Sequence, residues 1–364
     1  MKPLSCKGTG IGSLPLKDAG EALSIILDST DIPFWPQLPK RDFREQMIPQ
    51  FSEGIPCIRL DREKERIWVD TGEERATAVY KFYEAFLEGN PDRFQISNEY
   101  SIGFHEFLKE LTRLQTPRPR SAPQDPTEKQ GGPDSRLQTY KYLKGQVTGP
   151  ITFSLGLTDQ DRRPVYYDDE LRDISIKLLS MKALYQIKKL EPFAERLIIF
   201  IDEPILSAIG SSAYLGIERG DVKKALDEVI DSIHSGGALA GIHCCGNTDW
   251  SLVISTKIDI LSFDAYHFFN SITLYPEDIN GFLNRGGTLA WGIIPTGEDI
   301  SHETEKGLSE RLNSQFRTLR EIGIGNEMLK TQCLITPSCG TGSMEADQAR
   351  KVFELLKGVV TGLR

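Results

Sequence analysis

The run Ala238-Leu239-Ala240-Gly241-Ile242-His243-Cys244-Cys245-Gly246-Asn247-Thr248-Asp249 decides how the chain reads. An apolar segment ends in a histidine and two cysteines, then breaks at a glycine. That is a buried β-strand opening into a loop. Side chains alternate along a strand, so His243 and Cys245 share one face and Cys244 takes the other. A His and a Cys two positions apart can reach one metal ion. A third donor stands in Thr336-Pro337-Ser338-Cys339-Gly340-Thr341-Gly342, a second strand end that breaks into a Gly-rich loop. One imidazole and two thiolates suit Zn²⁺, and three protein donors leave a fourth position open, as in catalytic zinc sites. The competing reading is a buried structural histidine with buried cysteines, since cysteine is among the most buried residue types. The Gly-rich exits and the second loop cysteine favour the metal.

Outward from this stretch, strand and helix patterns alternate. A strand ends at Gly10-Ile11-Gly12-Ser13-Leu14-Pro15, and a helix is predicted over 18–28. Residues 32–39 carry too many prolines for a regular element. Residues 57–61 and 66–70 read as a hairpin, and 71–87 as an amphipathic helix. Residues 94–97 are the predicted second barrel strand, followed by a helix over 104–114. Strands are then predicted at 143–147, 197–201, the segment ending at His243, 258–263, 288–294 and 332–335. Helices follow at 168–189, 219–235, 276–285, 303–322 and 345–360. Eight strand–helix units predict a single (β/α)8 TIM barrel across residues 1–364, with an N-terminal insertion. Residues 115–136, rich in Pro and Gly, read as a long flexible loop. In such a barrel the chemistry belongs at the C-terminal strand ends, and every polar motif above falls at one.

The chain has 364 residues, a formal net charge of −9, 39% hydrophobic and 26% charged residues. This is an ordinary globular composition. The acidic balance argues against nucleic acid or an anionic membrane as partner. Six cysteines in a chain of this length do not form a disulfide scaffold and point to a reducing compartment. The first residues lack the apolar core of a signal peptide, so a cytoplasmic location is expected.

Zinc with two thiolate ligands is a modest Lewis acid toward water and well suited to holding another thiol as its thiolate. A free thiol has a pKa of about 8.5, so coordination removes a proton that neutral water would leave in place. Thiol alkylation is the expected chemistry. Carboxylates at neighbouring strand ends suit a substrate ammonium. Asp202 and Glu203 close one strand and Asp264 another, with Asp202 and Asp264 the candidate catalytic carboxylates and Asp264 a candidate fourth ligand. Asp202-Glu203-Pro204 equally suits a helix cap or a lysine pair. Ile11, Gly12 and Ser13 offer N–H groups and a hydroxyl for a carboxylate, or simply make a turn. His267 reads as a surface histidine. Trp35 either walls the pocket or plugs the barrel mouth.

Five stretches resemble, in order and spacing, the superfamily shared by cobalamin-independent methionine synthase, uroporphyrinogen decarboxylase and the corrinoid:coenzyme M methyltransferases. They are 11–15, 144–150, 201–204, 243–248 and 337–340, beginning with Ile11-Gly12-Ser13-Leu14-Pro15 and including Lys144-Gly145-Gln146-Val147-Thr148-Gly149-Pro150. By that resemblance His243, Cys245 and Cys339 match the zinc ligands. Asp202 matches the residue that holds the homocysteine ammonium, and Ile11, Gly12 and Ser13 match the carboxylate-contacting turn. Asp264 stands where the methionine synthases place a glutamate ligand, which is a departure. Glu53 and Glu99 are candidates for a further homocysteine-binding glutamate. The decarboxylase branch lacks zinc, and its Arg-rich N-terminal motif has no counterpart here. The resemblance is nearest to the single-barrel core methionine synthases and implies homocysteine as substrate, with a methylated corrinoid protein as methyl donor. Two alternatives stand beside it: another small thiol such as coenzyme M, which has no ammonium for Asp202, and a non-catalytic zinc- or corrinoid-binding barrel.

Overall fold

The computed structural model describes residues 4–115, 139–211, 214 and 216–364. The predicted loop at 115–136 therefore lies outside the described residues, apart from Gln115 at the end of a helix. The strands are β1 (Lys7–Gly8), β2 (Ile58–Asp61), β3 (Arg66–Val69), β4 (Tyr140–Thr148), β5 (Thr158–Asp159), β6 (Ala194–Asp202), β7 (Leu239–Cys244), β8 (Ile260–Phe263), β9 (Thr288–Ile294) and β10 (Cys333–Pro337). Seven form one parallel sheet in the order β1-β10-β9-β8-β7-β6-β4, and β2, β3 and β5 form a separate small sheet.

Alternation along these strands builds two cores. One face of each strand packs on the surrounding helices: Leu143 and Val147 of β4, Ile199 and Ile201 of β6, Ile242 and Cys244 of β7, Leu289 and Trp291 of β9. The opposite face turns inward, where Tyr142, Ile198, Phe200, Ile260, Ala290 and Leu334 meet Ile11 and Ile32. Gly241 serves this interior. A Cβ there would sit 2.6 Å from the Phe200 ring, so only the missing side chain lets the ring fill the centre.

The expected closed ring of eight strands is met in part. Among the described residues seven strands make the parallel sheet, and no eighth strand joins its β1 edge to its β4 edge. The segment at 31–38 spans the two sheet edges instead. It bonds to the β1 side through Asp31 and Ile32 N–H to the Gly8 carbonyl (2.9 and 3.1 Å) and Gln37 N–H to the Gly12 carbonyl (3.0 Å). The isolated parallel bridge Ser13–Gln37 belongs to this side; on the other side Lys144 N–H donates to the Pro33 carbonyl at 2.9 Å in the parallel bridge Phe34–Lys144. Pro33 and Pro36 have no N–H to give, so the ladder cannot run continuously. Gln186, from the helix Asp169–Leu190, stitches the gap: its Oε1 accepts from Trp35 Nε1 at 2.8 Å and its Nε2 donates to the Gln146 carbonyl at 2.9 Å.

Residues 94–97, expected to be the second barrel strand, are not a strand. Pro91–Phe94 forms a 3₁₀ turn, with Pro91 at its start and Asn90 capping it. The buried Phe94 and Ile96 supplied an apolar signal that belongs to packing beneath a helix. The predicted hairpin is present as β2 and β3, antiparallel with Asp61 opposite Arg66. Among the described residues no helix is long and apolar enough to cross a membrane.

The tight approach at Gly241 generates a test. Gly241→Ala should lower unfolding stability by about 1–3 kcal/mol through overpacking against Phe200. The urea midpoint measures it, and an unchanged midpoint would mean the interior has room to spare.

Candidate metal centre

Neighbouring parallel strands bring the functional side chains together. Asp202 at the end of β6 is in register with His243 of β7, and His243 with Ser262 of β8. Ser262 Oγ lies 3.0 Å from His243 Nδ1, which fixes the ring and leaves Nε2 buried without a hydrogen-bond partner. A buried polar atom with no partner is costly, so its presence calls for a ligand. A ligand nitrogen of His243 and the sulfurs of Cys245 and Cys339 all lie within 4.8 Å of one another, and no fourth His, Cys, Asp or Glu joins them among the described residues. Nitrogen with two sulfurs, one open side and a hydroxyl orienting the imidazole fits a soft divalent metal held through His243 Nε2. Cys244 is fully buried on the helix-facing side, as alternation requires.

The two thiols of the cluster are electrostatically distinct. A hydrogen bond from Cys339 holds Cys245 down to about 4 against the effect of burial, with His243 assisting. Cys339, which keeps that proton and is also buried, is pushed well above the usual thiol range.

These residues open into a cavity of about 460 Å³, lined by Ile11, Ser13, Asp202, His243, Cys245 and Cys339. Asp202 is 4% exposed, and its Oδ1 has no partner. Burial pushes its carboxyl up to about 6, opposed by His243 and Lys144. Ser13 couples the first turn to the Cys339 loop. Its carbonyl accepts from Thr341 N–H and Oγ1, both at 2.9 Å, and its hydroxyl accepts from Gly342 N–H at 3.2 Å. A Cβ at position 340 would fall 2.2 Å from Ser13 Oγ, so the glycine beside Cys339 is what allows this contact. No described group accepts a hydrogen bond from the backbone N–H of Ile11, Gly12 or Ser13.

Several expected site residues lie elsewhere. Glu203 does not face the cavity. It is fully buried, and its carboxylate accepts from Ile151 N–H (2.9 Å), Thr152 N–H (2.8 Å) and Thr152 Oγ1 (2.6 Å), capping the short helix Pro150–Gly156. A carboxylate at a helix N-terminus satisfies donors that have no other partner, so the capping alternative describes this residue. Asp264 is likewise consumed. Its Oδ1 accepts from Tyr266 and His267 N–H (3.0 and 2.9 Å), and its Oδ2 meets His267 Nδ1 at 2.7 Å. It neither lines the cavity nor joins the ligand cluster. His267 is part-exposed and held between Asp264 and Asp299. Gly12 is at the turn without lining the cavity. Trp35 is fully buried in the larger core against Phe104 and does not line the cavity. Glu53 accepts from Ser97 N–H at 2.8 Å, and Glu99 pairs with Arg44 on the surface; neither lines the cavity.

Sequence reasoning missed the wall formed by Gln37, Pro39, Lys40, Glu45 and Met47. Thr148 Oγ1 tethers it by donating to the Met47 carbonyl at 2.7 Å. It also missed the role of Lys144, one of two lysines in a strand whose inward face also carries Gln146 and Thr148, so no local signal set it apart.

No protein-family model and no curated protein matches this sequence. Among solved structures, a B12-independent methionine synthase from Shewanella sp. W3-18-1, in complex with selenomethionine, is similar at a TM-score of 0.44 and 17% identity. The similarity covers 63% of this chain and 64% of that one, so the chain spans just under two thirds of the protein it matches.

A cobalt(II) titration tests the cluster. The protein should develop a thiolate-to-cobalt charge-transfer band, lost in Cys245→Ser and Cys339→Ser and retained in Cys244→Ser. The charge state of the thiol pair adds a second expectation. Because Cys245 already lacks its proton at pH 7 and Cys339 keeps one, metal binding should release about one proton from the thiol pair. Affinity should rise with pH, since each ligand must be deprotonated. Calorimetry in buffers of different ionisation enthalpy counts the protons.

Proposed function

We propose that this chain is a zinc-dependent methyltransferase that transfers a methyl group to the thiol of homocysteine to form methionine. The observation that carries the reading is one cavity lined by both the His243–Cys245–Cys339 cluster and the unpartnered Oδ1 of Asp202. Zinc, when bound by these three residues, lets a substrate thiol shed its proton at neutral pH while keeping a nucleophilic sulfur. The chain's own groups then orient the amino acid. Asp202 accepts from the ammonium. The free N–H groups of the 11–13 turn receive the carboxylate, with the Ser13 hydroxyl beside them. Met47, Pro39 and Pro204 supply an apolar wall that limits water around the sulfur. Asp202 favours an amino-acid thiol over coenzyme M, which has no ammonium.

A methylated corrinoid, presented by a docking protein, is our choice of methyl donor. Methyltetrahydrofolate is a tertiary amine that gives up its methyl group only when protonated and held in line by extensive contacts. A methyl–cobalt bond already has a good leaving group, so the protein needs only a positioned sulfur and an open mouth. The metal-loaded chain should form methionine from homocysteine with methylcobalamin, faster with a methylated corrinoid protein, and not with methyltetrahydrofolate. Quantifying methionine with each donor separately tests this, and turnover on folate alone would overturn the donor assignment. Asp202→Asn should weaken homocysteine by about tenfold or more, the effect of losing a hydrogen bond between charged groups, and change a simple thiol without the amino group far less. Equal loss for both thiols would remove Asp202 from the ammonium role.

A further inference from the structure

Lys144 lies on the inward face of β4 and is fully buried, without lining the cavity itself. Its Nζ donates to the Ile11 carbonyl at 2.5 Å and to Gln146 Oε1 at 3.1 Å. It also stands 4.6 Å from the centre of the Phe200 ring and 5.3 Å from that of Phe34. Among the described residues no carboxylate lies within ion-pair distance of it. Its hydrogen-bond partners are all neutral; burial lowers its ammonium to about 7, with Asp202 acting from beyond ion-pair distance to hold its charge, and apolar residues of similar size would fill this interior at less cost. The group it grips most closely is the first peptide of the turn that rims the cavity.

That peptide unit joins the Ile11 carbonyl to the Gly12 N–H. The bond is trans, so the N–H points away from the carbonyl and hence away from Lys144. A cation on the carbonyl also polarises the whole unit, which makes the N–H at its other end a stronger donor. On either side of Gly12, Ile11 and Ser13 line the cavity. We propose that Lys144 is the positioning residue for the substrate's carboxylate: it pins the Ile11–Gly12 peptide with its N–H free for that carboxylate and supplies, through the peptide, the positive charge the carboxylate completes. The assignment rests on the amino-acid thiol reading above. It makes Lys144 a selector for one end of the substrate, as Asp202 is for the other.

Three thiols of one carbon skeleton separate the two ends: homocysteine, 3-aminopropanethiol without the carboxylate, and 4-mercaptobutyrate without the amino group. Their dissociation constants for the zinc-loaded protein are measured by calorimetry on wild type, Lys144→Met and Lys144→Gln. Circular dichroism and thermal melts select the variant that keeps the fold. The glutamine retains a neutral donor for the Ile11 carbonyl, so folding does not hinge on one replacement. Homocysteine and 4-mercaptobutyrate should weaken by about tenfold or more in the folded variant, the size of one hydrogen bond to a charged group, while 3-aminopropanethiol changes by less than about twofold. Asp202→Asn should give the mirror pattern, weakening the two amines and sparing 4-mercaptobutyrate. Equal weakening of all three thiols, or of none, would overturn the role of Lys144 and leave the function standing, because wild-type binding is read in the same experiment. Failure of wild type to bind homocysteine at all would overturn both.

Discussion

Parallel pairing of β6 with β7 and β7 with β8 sets Asp202, His243 and Ser262 side by side at one level of the sheet. The rest of the site depends on that register. Because side chains alternate, a slip of one residue in β7 would send His243 into the helix layer and bring Cys244 inward. The register is secured by burial on both faces: Ile242 and Cys244 pack outward, while Gly241 yields its space to Phe200. The same backbone ladder carries the site's next contact, since Glu203 N–H donates to the His243 carbonyl at 2.8 Å just beyond the strand ends.

Polar groups in the interior are costly, and the chain deals with them differently. Glu203 receives three hydrogen bonds from the start of a helix, so its oxygens find partners within the fold, although burial still pushes its carboxyl up to about 7. Asp264 is matched by a turn and by His267. Lys144, Asp202 and His243 are not fully matched. Lys144 has only neutral hydrogen-bond partners, and Asp202 Oδ1 and His243 Nε2 have none. Of these three, Asp202 and His243 line the cavity, and Lys144 holds the turn that does. An unsatisfied buried group costs stability unless a ligand completes it, which is why such groups concentrate where binding occurs.

The cavity also depends on segments that are not regular elements. The stretch at 31–38 bridges the sheet edges with a broken ladder because its prolines cannot donate, and the chain just after it forms the cavity wall. Ser13 ties the first turn to the Cys339 loop across nearly the whole sequence. The two halves of the proposed site, turn and cluster, are therefore bonded directly to each other.

By itself the sequence determined the features that local spacing encodes. The alternation of apolar and polar residues located six of the seven parallel strands and the turn that ends the seventh, put His243 inward and Cys244 outward, and marked Cys339 as a donor at a strand end. These are short-range properties, because the two-residue period and a breaking glycine are written in consecutive residues. Tertiary structure alone decided the rest. Glu203 is taken by a helix start far earlier in the chain, Asp264 by a turn whose geometry no spacing reveals, and Phe94 by packing that only imitates a strand. Lys144 reads as an ordinary strand lysine until the fold places it beneath Ile11, 133 residues away. A carboxylate or an ammonium goes to whichever partner the fold brings nearest, and that contest is settled by distances the linear chain does not contain.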